Sequence, residues 1–272
     1  MDRKMGCLKS PKDFRDYKVA TAIRAEVLPE EFRLSDRIIK DQGLVGSCVA
    51  HSLSSALEKN NQIFSTGWIY GYRPMGYYQG EGMYIREALK TIQKIGAVKQ
   101  PDFPHNIEMM EAKQIVDKNL LTLKTKAQEF QIEAYAKLNT IVEIKNFIYT
   151  SKTPVIFAVK VGTNYLDLDK NNIIIVPKDL DSNNVGNHAM IIIGWTKDGF
   201  VIQNSWGELW GKQGIAILPY DYPIDEAWGI TISKEESKED NIEPEEPFII
   251  RPNFYILRQW LQTILNIFIR KK

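Results

Sequence analysis

A chain of 272 residues with 44% hydrophobic and 11% aromatic side chains carries enough apolar material for one large domain or two modest ones. Its 35 Lys and Arg balance 34 Asp and Glu for a formal net charge of +1, which argues against nucleic acid or another polyanion as the main partner. Two cysteines, Cys7 and Cys48, are too few for a disulfide framework or a thiolate zinc site and fit a reducing compartment.

Residues 1–27 are polar and charged, without the apolar core of a signal peptide, and are expected to form an arm lying over the fold, too short for a substantial inhibitory pro-domain. With no apolar run of about 18 residues to span a bilayer, the expected address is the cytoplasm, with signal-less export left open. Residues 5–10, MGCLKS, match a myristoylation signal only if translation starts at Met5, so Gly6 and Cys7 are read as ordinary surface chain.

Alternation over residues 32–39 predicts a strand. Residues 41–47 form a loop, followed by a helix over 47–60 with Cys48, Leu53 and Leu57 at helical spacing. Further helices are predicted over 84–95, stopping at Gly96, and over 108–129, where the periodicity is weaker. From residue 131 the chain turns strand-like, in IEAYAKL, PVIFAVKV, NIIIV, HAMIIIGW, GFVIQNSW and GIAIL, with one helix over 140–149. A helix-rich part, 28–130, followed by a strand-rich part, 131–232, predicts an α+β protein of two lobes with a ligand cleft between them. Residues 233–250 form a charged, proline-containing linker. Residues 251–272 form an amphipathic helix with Leu257, Trp260, Leu261, Ile264, Leu265 and Phe268 on one face.

The chemistry centres on Cys48. A thiolate attacks far better than a thiol, and a cysteine in the first turn of a helix meets the positive end of the macrodipole. The other reading is a buried structural cysteine. Three histidines are candidates for its base. His51, three residues on along the same helix, leans back toward the sulfur but lacks an obvious orienting partner, and also reads as a core histidine. His105, between Pro104 and Asn106, looks like a turn residue. His188 opens the run HAMIIIGW, and a hairpin at residues 197–199 brings Asn204 back beside it, where an amide oxygen would fix the ring tautomer. Gln42, six residues before Cys48, is placed to donate its amide, with the Cys48 N–H, to an oxyanion; a loop glutamine is as readily just solvated. Trp206 could cover the His188–Asn204 bond, while Trp210 and Gly211 serve packing and a turn. Three scattered histidines without an acidic cluster make a poor ligand set, so no metal or cofactor is expected.

Together these motifs resemble those of papain-like cysteine peptidases. Gln42-Gly-Leu-Val-Gly-Ser-Cys48 resembles the family's nucleophile motif, His188-Ala-Met-Ile-Ile-Ile-Gly-Trp195 its histidine strand, and Gln203-Asn204-Ser205-Trp206-Gly207 with Trp210, Gly211 and Gly214 its asparagine motif, in the family's order across residues 28–232. The resemblance implies a two-lobed papain-like fold and an endopeptidase acting on polypeptides, with Cys48 as nucleophile, His188 as acid and base, Asn204 orienting the histidine and Gln42 donating to the oxyanion. Residues 80–84 loosely resemble the glycine-containing segment that binds substrate backbone. Residues 219–230 resemble bacterial members. Val45 stands where secreted relatives have a disulfide cysteine, Val49 where a tryptophan is common and His51 where an aromatic is frequent, and the long helical pro-segment is missing. Acyl transfer at the same site and a non-hydrolytic interaction protein remain as alternatives. The C-terminal helix is expected to dock on the enzyme itself, on a protein partner or on a membrane surface.

Overall fold

The computed structural model describes residues 4–232 apart from 14–15, 17–26, 36, 59–61, 73–81, 104–108, 163–164, 166–167 and 180–183. By contact density the chain divides into two units, 1–233 and 234–272. His105, Gly80, Glu81, the expected linker and the expected C-terminal helix therefore lie outside the described residues.

Two short strands, β1 (Cys7–Leu8) and β2 (Phe32–Arg33), precede helix α1 (Cys48–Leu57). The strand expected over 32–39 is cut short because a side chain replaces the ladder beyond Arg33. Gln203 accepts the Arg37 N–H at 3.0 Å and donates to the Arg37 carbonyl at 3.1 Å. Every residue of α1 is buried, and its small Ala50, Ser52, Ser54, Ser55 and Ala56 let neighbours approach on all sides. The helix stops at Leu57, short of the expected residue 60, because Glu58 turns extended (ψ 123°) and its carboxylate takes the Lys40 ammonium and the Ile38 N–H. Lys40 and Glu58 are both buried, so each charge depends on the other to offset its lost hydration.

Helix α2 (Thr66–Gly71), which the sequence pattern did not show, is capped by Ser65, whose hydroxyl accepts the Trp68 N–H. Strand β3 (Met83–Tyr84) leads into α3 (Ile85–Lys94), which ends ahead of Gly96 as expected. The expected 108–129 helix is two, α4 (Met109–Lys118) and α5 (Leu120–Ala127), broken at Asn119, whose side chain bonds back to the Ile115 carbonyl.

The second part is one antiparallel sheet packed against helix α6 (Ile141–Ser151), which is capped by Thr140. Its strands are β4 (Ile132–Leu138), β5 (Val155–Gly162), β6 (Asn184–Trp195), β7 (Gly199–Gln203), β8 (Ile215–Pro219) and β9 (Glu226–Ile232), in the order β4-β9-β5-β6-β7-β8, with β2 pairing the end of β6. The apolar runs of β5 and β6 face two cores in alternation. Ile156, Ala158, Ala189 and Ile191 join the cluster that holds α1 and α3, whereas Phe157, Val159, Met190 and Ile192 join the cluster under α6. A sheet buried on both faces explains why these strands read as continuous apolar segments rather than as alternation. Residues 172–176 do not form the expected strand. Asn172 adopts a left-handed conformation (φ 65°), and only isolated bridges, Leu168 to Ile174 and Ile173 to Ile217, remain. Among the described residues no helix is long and apolar enough to cross a membrane, and no cluster of metal-ligating side chains occurs.

Candidate active site

Cys48 begins α1, on the helical side, and His188 lies on β6, against which α1 packs. The backbone N–H groups of Ala189, the residue after His188, and of Val49 and Cys48 at the helix start favour the Cys48 thiolate electrostatically. The structure thus brings Cys48 and the strand that carries His188 together from opposite halves of the chain.

His188 is fully buried, and its Nε2 lies 2.7 Å from Asn204 Oδ1. The same oxygen accepts the backbone N–H of Ser205 at 2.7 Å. A backbone N–H can only donate, so the atom facing His188 is the amide oxygen and the imidazole must carry a proton on Nε2. Nδ1 is then the basic nitrogen, the one that takes a proton. Asn204 stands just past the end of β7, beyond the turn that follows β6, and its N–H bonds the Gly214 carbonyl. The Trp206 ring lies 4.8 Å from the imidazole and tilted 31° to it, while Trp210 packs on Tyr165 and donates to its carbonyl. These contacts exclude water from the histidine–asparagine bond.

Gln42 is buried in the loop before α1, held by its own N–H on the Ser205 carbonyl and by the bridge between Asp41 and Trp206. Its Oε1 accepts the Ser205 hydroxyl at 2.7 Å, which turns Nε2 toward the Val45 carbonyl (3.0 Å) and the Lys4 carbonyl (3.1 Å). Ser205, to which the motif alone gives no role, therefore serves both neighbours, fixing Asn204 through its N–H and Gln42 through its hydroxyl. Its position between Asn204 and Trp206 was the available signal. His51 turns away from the reaction, with Nδ1 3.0 Å from the Ser47 carbonyl and 3.2 Å from the Ser47 hydroxyl.

The N-terminal arm lies across these groups, although Gly6 and Cys7 read as ordinary surface chain in the sequence. The Gly6 carbonyl accepts the Met83 N–H at 2.8 Å. β1 then runs parallel to β3, with Cys7 opposite Met83 and only 6% exposed. Further along, Lys9 pairs with Asp225, the Ser10 N–H donates to Glu226, and Asp16 pairs with Arg86. Gly6 is required by the close approach, since a Cβ there would stand 1.9 Å from the Gly46 carbonyl oxygen. The reason for the miss is physical. Cys7 and Met5 carry no periodicity of their own, and Cys7 is buried and Met5 half-buried only against a groove assembled from α1, β3 and β6.

The arm also sets the state of the thiol. Burial pushes the Cys48 pKa up from 9.0 to about 11, against the backbone N–H groups of Ala189, Gly6, Val49 and Cys48, which pull it down. Cys48 is 0% exposed. In this conformation the Cys48 thiol is covered, and its burial favours the neutral form.

A family model described as papain family cysteine protease matches residues 29–223. An uncharacterised peptidase C1-like protein of Acanthamoeba polyphaga mimivirus is 24% identical over 263 residues, which cover 83% of this chain and 84% of that one. Cathepsin K of Mus musculus is 26% identical over 203 residues, covering 66% of this chain but 55% of its own length, and a cysteine protease of Blomia tropicalis is matched over 60% of its length. Among solved structures, xylellain, a cysteine protease from Xylella fastidiosa, superposes with a TM-score of 0.72 at 23% identity, over 86% of this chain and 97% of that one, a likeness of fold.

Proposed function

The chain belongs to the papain family of cysteine proteases, and from that premise we propose that Cys48, His188, Asn204 and Gln42 carry its thiol-dependent hydrolysis of polypeptides. His188 Nδ1 takes the Cys48 proton, and the thiolate attacks the scissile carbonyl. The oxyanion that forms meets two donors, the Cys48 N–H and the Gln42 amide, the second aimed by Ser205. His188 returns the proton to the leaving amine, water enters, and the same nitrogen serves as base for deacylation. Asn204 holds the ring in the required tautomer throughout.

The single observation behind this assignment is the pair of donors on Asn204 Oδ1, which leaves His188 only one basic nitrogen, on the strand against which the helix begun by Cys48 packs. The arm's Lys4 carbonyl occupies the Gln42 amide, so the conformation described excludes substrate and turnover requires the arm to leave. An epoxysuccinyl thiol-peptidase inhibitor, read by intact mass and peptide mapping, tests the assignment. Labelling at Cys48, lost in His188→Ala but kept in His51→Ala, is expected. No labelling in either the full chain or an arm-displaced Gly6→Ala variant would sink it.

For the C-terminal segment the proposal is docking, on the enzyme, a protein partner or a membrane surface, supported by the single apolar face of residues 257–268. Deleting residues 247–272 is expected to change activity or solubility; a deletion that alters neither removes the idea.

A further inference from the structure

Residues 37–42, which end in the oxyanion donor Gln42, are held from two sides. On one side lies the chain that carries Asn204. Gln203 takes the Arg37 N–H, the Lys40 carbonyl accepts the Gly207 N–H at 3.0 Å, Asp41 bridges Trp206, and the Gln42 N–H reaches the Ser205 carbonyl at 2.9 Å. On the other side lies α1. The Lys40 ammonium donates to the Glu58 carboxylate and, at 3.0 Å, to the Ser55 hydroxyl, while the second Glu58 oxygen accepts the Ile38 N–H at 3.2 Å. Lys40, Ser55 and Glu58 are all buried, and none of them takes part in the chemistry proposed above. We infer that the buried Lys40–Glu58 pair is a positioning clamp for the oxyanion site, fixing the Gln42 amide relative to the helix whose first N–H is the other donor; this rests on the peptidase reading above.

Two donors must converge on one oxygen, and they come from different elements. The Cys48 N–H is fixed by α1, whereas Gln42 stands in a loop whose next residue, Gly43, is left-handed (φ 57°). An oxyanion site needs its donors within about 2.7–3.1 Å of the developing charge, a tolerance that a loop meets only when neighbours lock it. Ser205 sets the rotation of the Gln42 amide through Oε1, but not the place of the Gln42 backbone along the helix. Glu58 does, because it caps α1 ten positions and about 15 Å of helix beyond Cys48, and from there holds both Ile38 and Lys40. Residues 38–42 are thereby tied to the far end of α1 by Glu58. They are tied to its near end by the turn in which the Val45 N–H bonds the Gln42 carbonyl and the Ser47 N–H bonds the Val45 carbonyl.

Stability alone does not call for charges here. Two buried charges lose hydration that their attraction only roughly offsets, and apolar residues of similar volume often hold a fold as well or better. What an ammonium and a carboxylate add is direction. With Glu58 and Ser55 both accepting from it, the Lys40 ammonium has its place set by hydrogen-bond geometry, which packed methylenes would leave loose. Lys40 and Glu58 are therefore positioning residues that act through Gln42 and touch no reacting atom.

The experiment uses the full chain with the arm displaced by Gly6→Ala, so that peptide can enter. Three forms are compared with that parent: the paired replacement Lys40→Met with Glu58→Leu, which removes both charges at similar volume, Gln42→Ala, and all of these together. On a fluorogenic peptide the paired replacement is expected to lower kcat about tenfold with KM within about twofold, because transition-state stabilisation is lost and binding is not. In the Gln42→Ala background the same replacement is expected to change kcat by less than about twofold, since the clamp then has no donor to place. Hydrogen exchange read by mass spectrometry is expected to quicken over residues 38–46 and to stay unchanged over α1. A tenfold loss that persists without Gln42 overturns the clamp, and so does a paired replacement whose kcat and exchange both match the parent. If no chain turns over peptide or takes an epoxysuccinyl label at Cys48, the peptidase reading fails, and exchange alone decides the clamp. Faster exchange over residues 38–46 then supports it, and unchanged exchange overturns it.

Discussion

Asn204 Oδ1 holds the His188 ring at 2.7 Å, and the Ser205 N–H on the same oxygen denies the amide any flipped alternative. The imidazole is thereby committed to Nδ1 as its base. Replacing Asn204 with Ala is expected to lower kcat about a hundredfold with KM little changed, because the ring is freed while the binding surface is not. Steady-state kinetics on a fluorogenic peptide, with a melting curve to show the fold persists, check it. An unchanged kcat would mean that Trp206 alone orients the ring.

Gln42 and Ser205 separate donation from aiming. Gln42→Ala removes an oxyanion donor and is expected to cost roughly 10²–10³ in kcat. Ser205→Ala keeps the donor but frees its rotation, so a smaller loss, about tenfold or less, is expected from a lost hydrogen bond of about 1 kcal/mol. Equal losses in the two variants would contradict this division of labour.

His51 serves α1 rather than the reaction, with its Nδ1 on Ser47. His51→Ala is expected to cost about 1–3 kcal/mol of stability in urea denaturation through the cavity and the lost bonds, with kcat within about twofold of wild type. A large fall in kcat would reinstate His51 as a candidate base.

The Cys48 thiol carries a pH signature. Its pKa in the arm-docked fold is raised from 9.0 to about 11 by burial, so the neutral form is favoured on folding. The associated stability is complete below pH 9.0 and drains away as pH climbs toward about 11. Alkylation by iodoacetamide should therefore be slow at pH 7 and rise steeply into that window. A rate already saturated at pH 7 would show that the arm does not cover the thiol in solution.

The close approach of Gly6 to Gly46 supplies the complementary variant. A methyl group at Gly6 has backbone at 1.9 Å, which no rotamer relieves, so Gly6→Ala is expected to displace the arm. Peptidase activity and the rate of Cys48 alkylation at pH 7 should both rise. If both stay at the wild-type level, the arm is not what limits access.

Much of the site was legible because its residues carry their own local signals. A cysteine at a helix start, a histidine opening an apolar strand and an asparagine one hairpin later each announce a position in regular structure, and their order along the chain limits how they can meet. Elements set by contacts rather than periodicity were harder. Helix α2 has only six residues, the strand at residue 32 ended early where the Gln203 side chain took over its hydrogen bonds, and β9 was not recognised as a central strand between β4 and β5.

By itself, the sequence determined the α+β architecture through burial periodicity, and it singled out the four candidate site residues through three motifs whose order resembles that of papain-like peptidases. Only the tertiary structure decided where residues 4–10 lie and which carbonyl fills the Gln42 amide. Those outcomes depend on a groove built from α1, β3 and β6, which no stretch of chain encodes alone. The free energy of covering that groove exists only once it has formed.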